Sequence, residues 1–229
     1  SDRALIDWRS FDIGKDATVA VTQPGAGSIL VNRVTGNGSG TRIDGSLTAN
    51  GQVVVIDRAG IVIGRGARVD AGSFLATTAD IDNADFAAGR LIFGKAGQAG
   101  AAIVNEGTIR VADGGYAVLA APAVRNGGLV EARLGRVMLA GAERFTLDLA
   151  GDGLLRFEIP AELAGRVVND GTVTGAQVLM TARVARDGMA GVINAGGLVE
   201  ATAAREVDGR IIIGRSEEHT SELQSHHDL

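Results

Sequence analysis

The side chains that most often carry chemistry are scarce in this 229-residue chain. It has no cysteine, only Lys15 and Lys95 as lysines, and three histidines, His219, His226 and His227, all near its end. Disulfides, thiolate metal ligation and a cysteine nucleophile are excluded, and general-base candidates are few. The acids that cluster are Asp80, Asp82 and Asp85, and then Asp148 with Asp152. Glycoside chemistry would need two carboxyls about 5–9.5 Å apart across the scissile bond. These acids instead lie in Gly- and Asn-rich stretches, where Asp tends to bond its own backbone. The expectation is a non-enzyme with no cofactor and no metal site. The formal charge of −5, with scattered arginines, gives no electrostatic grip on nucleic acid, so a nucleic-acid partner is not expected either.

The elements that would position such residues follow from composition and recurrence. There are 34 glycines and 3 prolines, and 45% of the chain is hydrophobic while only 3% is aromatic. That profile disfavours long helices and calls for a core of small, stackable Val, Ile, Leu and Ala. Val104-Asn105-Glu106-Gly107-Thr108-Ile109 recurs as Val168-Asn169-Asp170-Gly171-Thr172-Val173, and Asn126-Gly127-Gly128-Leu129-Val130-Glu131 recurs around Asn194. The asparagine separations of 21, 43 and 25 read as one, two and one turns of a solenoid. Short β-branched strands are predicted at 52–56, 60–63, 68–71, 109–112, 117–120, 137–140 and 177–180. Three such strands per repeat fit a right-handed parallel β-helix of roughly 22 residues per coil, expected as a monomer of about nine or ten coils. At its corners Gly is expected to supply positive φ and Asn to tolerate the left-handed region, with asparagines of successive coils hydrogen-bonded along the rod. Trp8, Tyr116 and the phenylalanines are expected mostly inside.

The chain divides unevenly. Residues 1–214 carry the β-helical pattern, truncated at both ends, and residues 215–229 (Arg-Ser-Glu-Glu-His-Thr-Ser-Glu-Leu-Gln-Ser-His-His-Asp-Leu) read as an adapter-derived, disordered, non-native tail. Without that tail, which holds four acids and one base, the charge falls from −5 to −2.

Several blocks in the first two-thirds resemble the amino-terminal domain of filamentous haemagglutinin and related exoproteins of two-partner secretion. They are Trp8-Arg9-Ser10-Phe11-Asp12-Ile13-Gly14, then Ser28-Ile29-Leu30-Val31-Asn32-Arg33-Val34 with Ile43-Asp44-Gly45-Ser46-Leu47. The most specific is Ala49-Asn50-Gly51-Gln52-Val53-Val54-Val55-Ile56-Asp57-Arg58-Ala59-Gly60-Ile61, and Phe74-Leu75-Ala76-Thr77 with Asn83-Ala84-Asp85-Phe86 and Leu147-Asp148-Leu149 follow in the family's order. In the family the turn usually reads Asn-Pro-Asn-Gly, and here it reads Asp57-Arg58-Ala59-Gly60. Asp first and Gly fourth still suit a type I turn.

The resemblance implies a secretion-signal and adhesin-scaffold domain. It would pass through the periplasm of a Gram-negative bacterium, be recognised there by the periplasmic domains of an outer-membrane transporter, and be displayed at the cell surface or secreted. Carbohydrate-dependent haemagglutination, through glycans or proteins of another cell, belongs to the full-length parent. The alternatives are a polysaccharide-acting β-helix enzyme and the delivery module of a contact-dependent toxin. The recognition surface it implies comprises Asn32, Arg33, Asn50, Gly51, Asp57, Arg58, Ala59, Gly60 and Ile61. On this view, changing Asp57 and Gly60 together to Ala reduces export more than stability.

Overall fold

The computed structural model describes residues 1–36, 38–148, 156–158, 165–182, 193–194, 196–201, 204–207 and 210–214. Its strands wind as a parallel β-helix with three faces. The first face stacks Arg3–Trp8, Ile29–Val34, Gln52–Asp57, Ser73–Thr77, Tyr116–Ala121 and the second halves of Leu129–Gly141 and Thr172–Ala182. The second stacks Thr18–Val21, Ser46–Ala49, Arg68–Ala71, Thr108–Val111, the first halves of the same two long strands, and Leu198–Glu200. The third stacks Thr41–Ile43, Ile61–Ile63, Ala102–Asn105, Ala123–Asn126, Arg166–Asn169 and Ile193–Asn194. Right-handed winding is the sense that twisted strands impose on parallel crossovers.

Each of the first two faces is seven parallel strands deep among the described residues, so the described part of the rod is about 29 Å long at the usual strand spacing of about 4.8 Å. The described residues thus give seven coils, where length suggested nine or ten. Residues 78–101 and 142–148 leave the rod, and the strands Leu91–Phe93, Phe145–Asp148 and Arg156–Glu158 form a separate antiparallel sheet. The 43-residue asparagine spacing is consequently one coil carrying an insertion, since Asn126 pairs directly with Asn169. Asn194 pairs with Val168, one place short of the asparagine column.

The insertions explain the run Val53-Val54-Val55-Ile56. Val53, Val55, Phe74, Ala76, Leu119 and Leu139 point into the rod, while Val54, Ile56, Leu75, Val118 and Met138 join a second core beneath the antiparallel sheet. A strand buried on both sides loses the alternation of a half-exposed one. The helix Asn83–Ala87 and the stacked pair Phe93–Phe145, with centroids 4.5 Å apart, seal that second core. Arg3 lies 4.9 Å above the Phe86 ring and closes it near the first coil.

Asn105, Asn126 and Asn169 are fully buried and form the expected ladder: Asn105 Nδ2 donates to Asn126 Oδ1, and Asn126 Nδ2 to Asn169 Oδ1, both at 2.7 Å. The corner geometry differs from expectation. None of these asparagines has positive φ, nor do Gly107, Gly128 and Gly171. Those glycines are needed for room: a Cβ on Gly128 would lie 2.1 Å from the Gly107 carbonyl oxygen, and one on Gly171 would lie 2.2 Å from that of Gly128. The Asn-x-Gly signature thus joins a buried amide ladder to a close-packed glycine column.

Candidate functional site

The nine residues implied by the resemblance fall into two groups. Asn32 and Arg33 end one first-face strand, and Val34 pairs with Asp57, so they adjoin the 57–60 turn of the next coil. Asn50 and Gly51 sit at the other end of Gln52–Asp57, a six-residue strand, about 20 Å away. The structure does not bring the two groups into one patch.

In the first group the asparagine faces inward. Asn32 is 2% exposed; its Oδ1 accepts from Trp8 Nε1 at 3.1 Å, and its Nδ2 has no partner among the described residues. Trp8, expected inside, is 37% exposed and packs on Phe11. Arg33 points outward, yet its guanidinium is nearly covered. Its Nε and NH2 donate to Asp7 at 2.6 and 3.1 Å, and NH1 donates to the Ile81 carbonyl at 3.2 Å with Asp80 at 3.5 Å. This two-point hydrogen bond holds the Asp7 carboxyl below its ordinary range and raises the already high pKa of Arg33. Arg33 therefore ties two coils to the neck of the first insertion, where Asp80 and Lys95 exchange backbone hydrogen bonds.

The 57–60 turn is closed by the Gly60 N–H donating to the Asp57 carbonyl at 3.1 Å. Asp57 is 3% exposed; its carboxylate accepts from the Ala59 N–H at 2.9 Å and the Thr41 hydroxyl at 2.8 Å. Burial pushes its pKa up, the two hydrogen bonds oppose this without cancelling it, and nearby Asp12 adds to the rise. Gly60 has φ +124°, and a Cβ there would lie 2.9 Å from the Ala102 carbonyl oxygen. Ile61 is fully buried. Arg58 is exposed; its Nε donates to the Ala96 carbonyl at 3.2 Å, and its own carbonyl accepts from the Gln98 N–H at 2.7 Å. The turn that reads as a free surface loop is thus built into the rod, and only Arg58 and the half-buried Ala59 face outward. Replacing Asp57 and Gly60 together would damage the fold itself.

In the second group the exposed Asn50 clasps the backbone of Gln23, accepting from its N–H at 2.7 Å and donating to its carbonyl at 2.8 Å. Gly51 is buried, with Gln23 and the Ser28 carbonyl at 2.8 Å from where a Cβ would stand.

The clustered acids are engaged in ion pairs. Arg33 faces Asp80, Lys95 pairs with Asp82, and Arg90 with Asp85 at 2.6 Å. Asp152, the histidines and residues 215–229 lie outside the described residues. No group of three His, Cys, Asp or Glu side chains converges among the described residues. What the surface offers is hydrogen bonding and shape. Sequence reasoning missed Asp7, Trp8, Asp80 and the 96–98 segment as partners of this region, and no local pattern marked them.

A family model described as the TPS secretion domain matches residues 1–223. A heme/hemopexin-binding protein of Haemophilus influenzae strain Rd is 29% identical over 217 residues, covering 91% of this chain and 24% of its own length. A second heme/hemopexin-binding protein of H. influenzae is 40% identical over 82 residues, 36% of this chain and 9% of the relative. The chain thus spans a quarter or less of the curated relatives it matches. The crystal structure of the HMW1 secretion domain from H. influenzae superposes with a TM-score of 0.67 at 29% identity, covering 76% of this chain and 49% of that one. The rod, its order of blocks and the match over almost the whole chain agree, and the chain belongs to the family of two-partner (TPS) secretion domains.

Proposed function

We propose that this chain is the secretion signal of a longer exported protein, captured in the periplasm by the recognition domains of a partner outer-membrane transporter. The observation that carries this reading is the family match over residues 1–223 on the same rod architecture as a solved secretion domain. The rod then stands at the cell surface as the base of an adhesin. It is not catalytic, a reading supported by the ion pairs that occupy Asp80, Asp82 and Asp85. Arg58, Ala59 and Asn50 are the residues of the implied surface that can meet a partner without unfolding. Asn32, Arg33, Gly51, Asp57, Gly60 and Ile61 act by holding those residues in place. Any heme- or hemopexin-related binding, by analogy with the named relatives, is assigned to the remainder of the parent.

The test is surface plasmon resonance between the purified chain and the periplasmic domains of its partner transporter. A Kd on the order of micromolar with fast release is expected, because a secretion signal must let go. Arg58→Glu should weaken binding and leave the melting temperature within about 2 °C, since it removes one exposed contact. Absence of any binding by the unaltered chain would overturn the reading.

A further inference from the structure

The corner between the second and first faces carries one residue that neither packing nor backbone preference accounts for. Leu134 is 75% exposed, and at φ +37° it is the one non-glycine residue with positive φ among the described residues. The register makes the anomaly sharper. Tyr116 pairs with Arg136, and Arg136 N–H donates to the Gly115 carbonyl at 3.0 Å; counting back, Leu134 stands where the previous coil has Gly114, with φ +77°. Gly135 fixes this geometry, since a Cβ there would lie 2.1 Å from the Gly115 carbonyl oxygen. The chain must turn left-handed at 134, a position that favours Gly or Asn, and a bulky side chain there is strained. A strained, solvent-exposed leucine gains nothing from the fold that holds it.

Its neighbours give the site a charge. Arg133 beside it is exposed and enters no ion pair among the described residues, and Arg136 on the far side of Gly135 is held by Gln177 Oε1 at 3.0 Å. An apolar knob flanked by a free and a tethered guanidinium fits an apolar pocket with an acidic rim. We infer that Leu134 and Arg133 form a second docking point for the periplasmic domains of the transporter, an inference that rests on the function proposed above. A protein pocket is favoured over a lipid surface because one leucine and two arginines fall short of stable membrane attachment, which takes two substantial anchors. Burying a single leucine in a pocket changes affinity roughly ten- to hundredfold, enough to matter in a weak, releasable contact.

Leu134→Gly separates the docking role from an architectural one, because it relieves the backbone while removing the knob. It should melt no lower than the unaltered chain, because the strain relieved at positive φ at least offsets the freedom that glycine adds to the unfolded chain, and bind the transporter's periplasmic domains at least about tenfold more weakly. Leu134→Met, which keeps an apolar side chain, should bind within about threefold of the unaltered chain. A lower melting temperature for Leu134→Gly would show that the leucine serves the fold, and binding within twofold would show that no pocket receives it; either overturns the inference. Equal loss of binding to phosphatidylglycerol vesicles would assign the knob to lipid and overturn it too. If the unaltered chain fails to bind the periplasmic domains at all, the proposed function falls first. If it binds and Leu134→Gly binds as well, only this inference falls.

Discussion

Replacing Asn126 by alanine removes the middle of the buried amide ladder. Two hydrogen bonds of 2.7 Å disappear, leaving the Nδ2 of Asn105 only its 3.4 Å contact to the Leu129 carbonyl and taking from the Oδ1 of Asn169 its Asn126 donor, both on side chains with no exposure. Each buried group left unsatisfied costs about 1–3 kcal/mol, so the loss should total about 2–6 kcal/mol. Asn169→Ala removes the lower end instead. It strands only the Nδ2 of Asn126, which keeps 3.4 Å contacts to the Gly128 and Thr172 carbonyls, so the cost should be about 1–3 kcal/mol. In a domain of this size each kcal/mol lowers Tm by roughly 2–4 °C. Equilibrium urea unfolding followed by circular dichroism, with thermal melts alongside, measures both variants. Asn126→Ala should lose about twice as much as Asn169→Ala. Equal losses, or an Asn126→Ala loss below about 1 kcal/mol, would refute the ladder as a continuous chain of buried amides.

Arg33→Ala should release the neck of the first insertion, so that limited proteolysis cuts within residues 78–101 sooner. An unchanged cleavage pattern would mean that the hydrophobic seal alone holds it. Gly60→Ala should cost about 1–3 kcal/mol, from its positive φ and its approach to Ala102, whereas Arg58→Ala should cost less than about 1 kcal/mol in the same melts. Asp57 titrates with a raised pKa in the fold, so the folded chain binds its proton more tightly than the unfolded one. Stability from this group is therefore full below the unfolded value near 3.8 and is lost as pH rises through the folded value. Asp57→Asn can keep the Ala59 N–H bond at its Oδ1 and replace the Thr41 bond by donating from Nδ2 to the Thr41 hydroxyl oxygen, without the charge, so its Tm at pH 7 should equal or exceed that of the unaltered chain and depend less on pH above 4. A large loss at pH 7 would contradict the assigned burial cost.

The strands at 52–56, 68–71 and 117–120 were readable because β-branched and small apolar residues recur at a solenoid period, and the structure places strands over each. The ladder was readable because Asn105, Asn126 and Asn169 share a local pattern. The coil count was not, because an insertion of about one coil's length mimics a second turn, and spacing alone cannot tell 43 residues of two coils from one coil with an excursion. The fate of the 57–60 turn was hidden for a similar reason. Asp, Arg, Ala and Gly describe a surface loop by composition, but burial of Asp57 depends on Thr41 from the preceding coil, and the docking of Arg58 depends on residues 96–98, some forty positions on. Arg33 likewise finds Asp7 and Asp80 at long range, through strand stacking that no local pattern announces.

Export of a passenger tests the central claim most directly. The full chain, placed behind a periplasmic targeting signal and ahead of an easily assayed enzyme, would be produced with and without its partner transporter, and enzyme activity measured in the medium and the periplasm. Activity in the medium that requires both the chain and the transporter is the predicted result. Activity retained in the periplasm despite a functional transporter, or released equally without it, would contradict the assignment of this rod as a secretion signal.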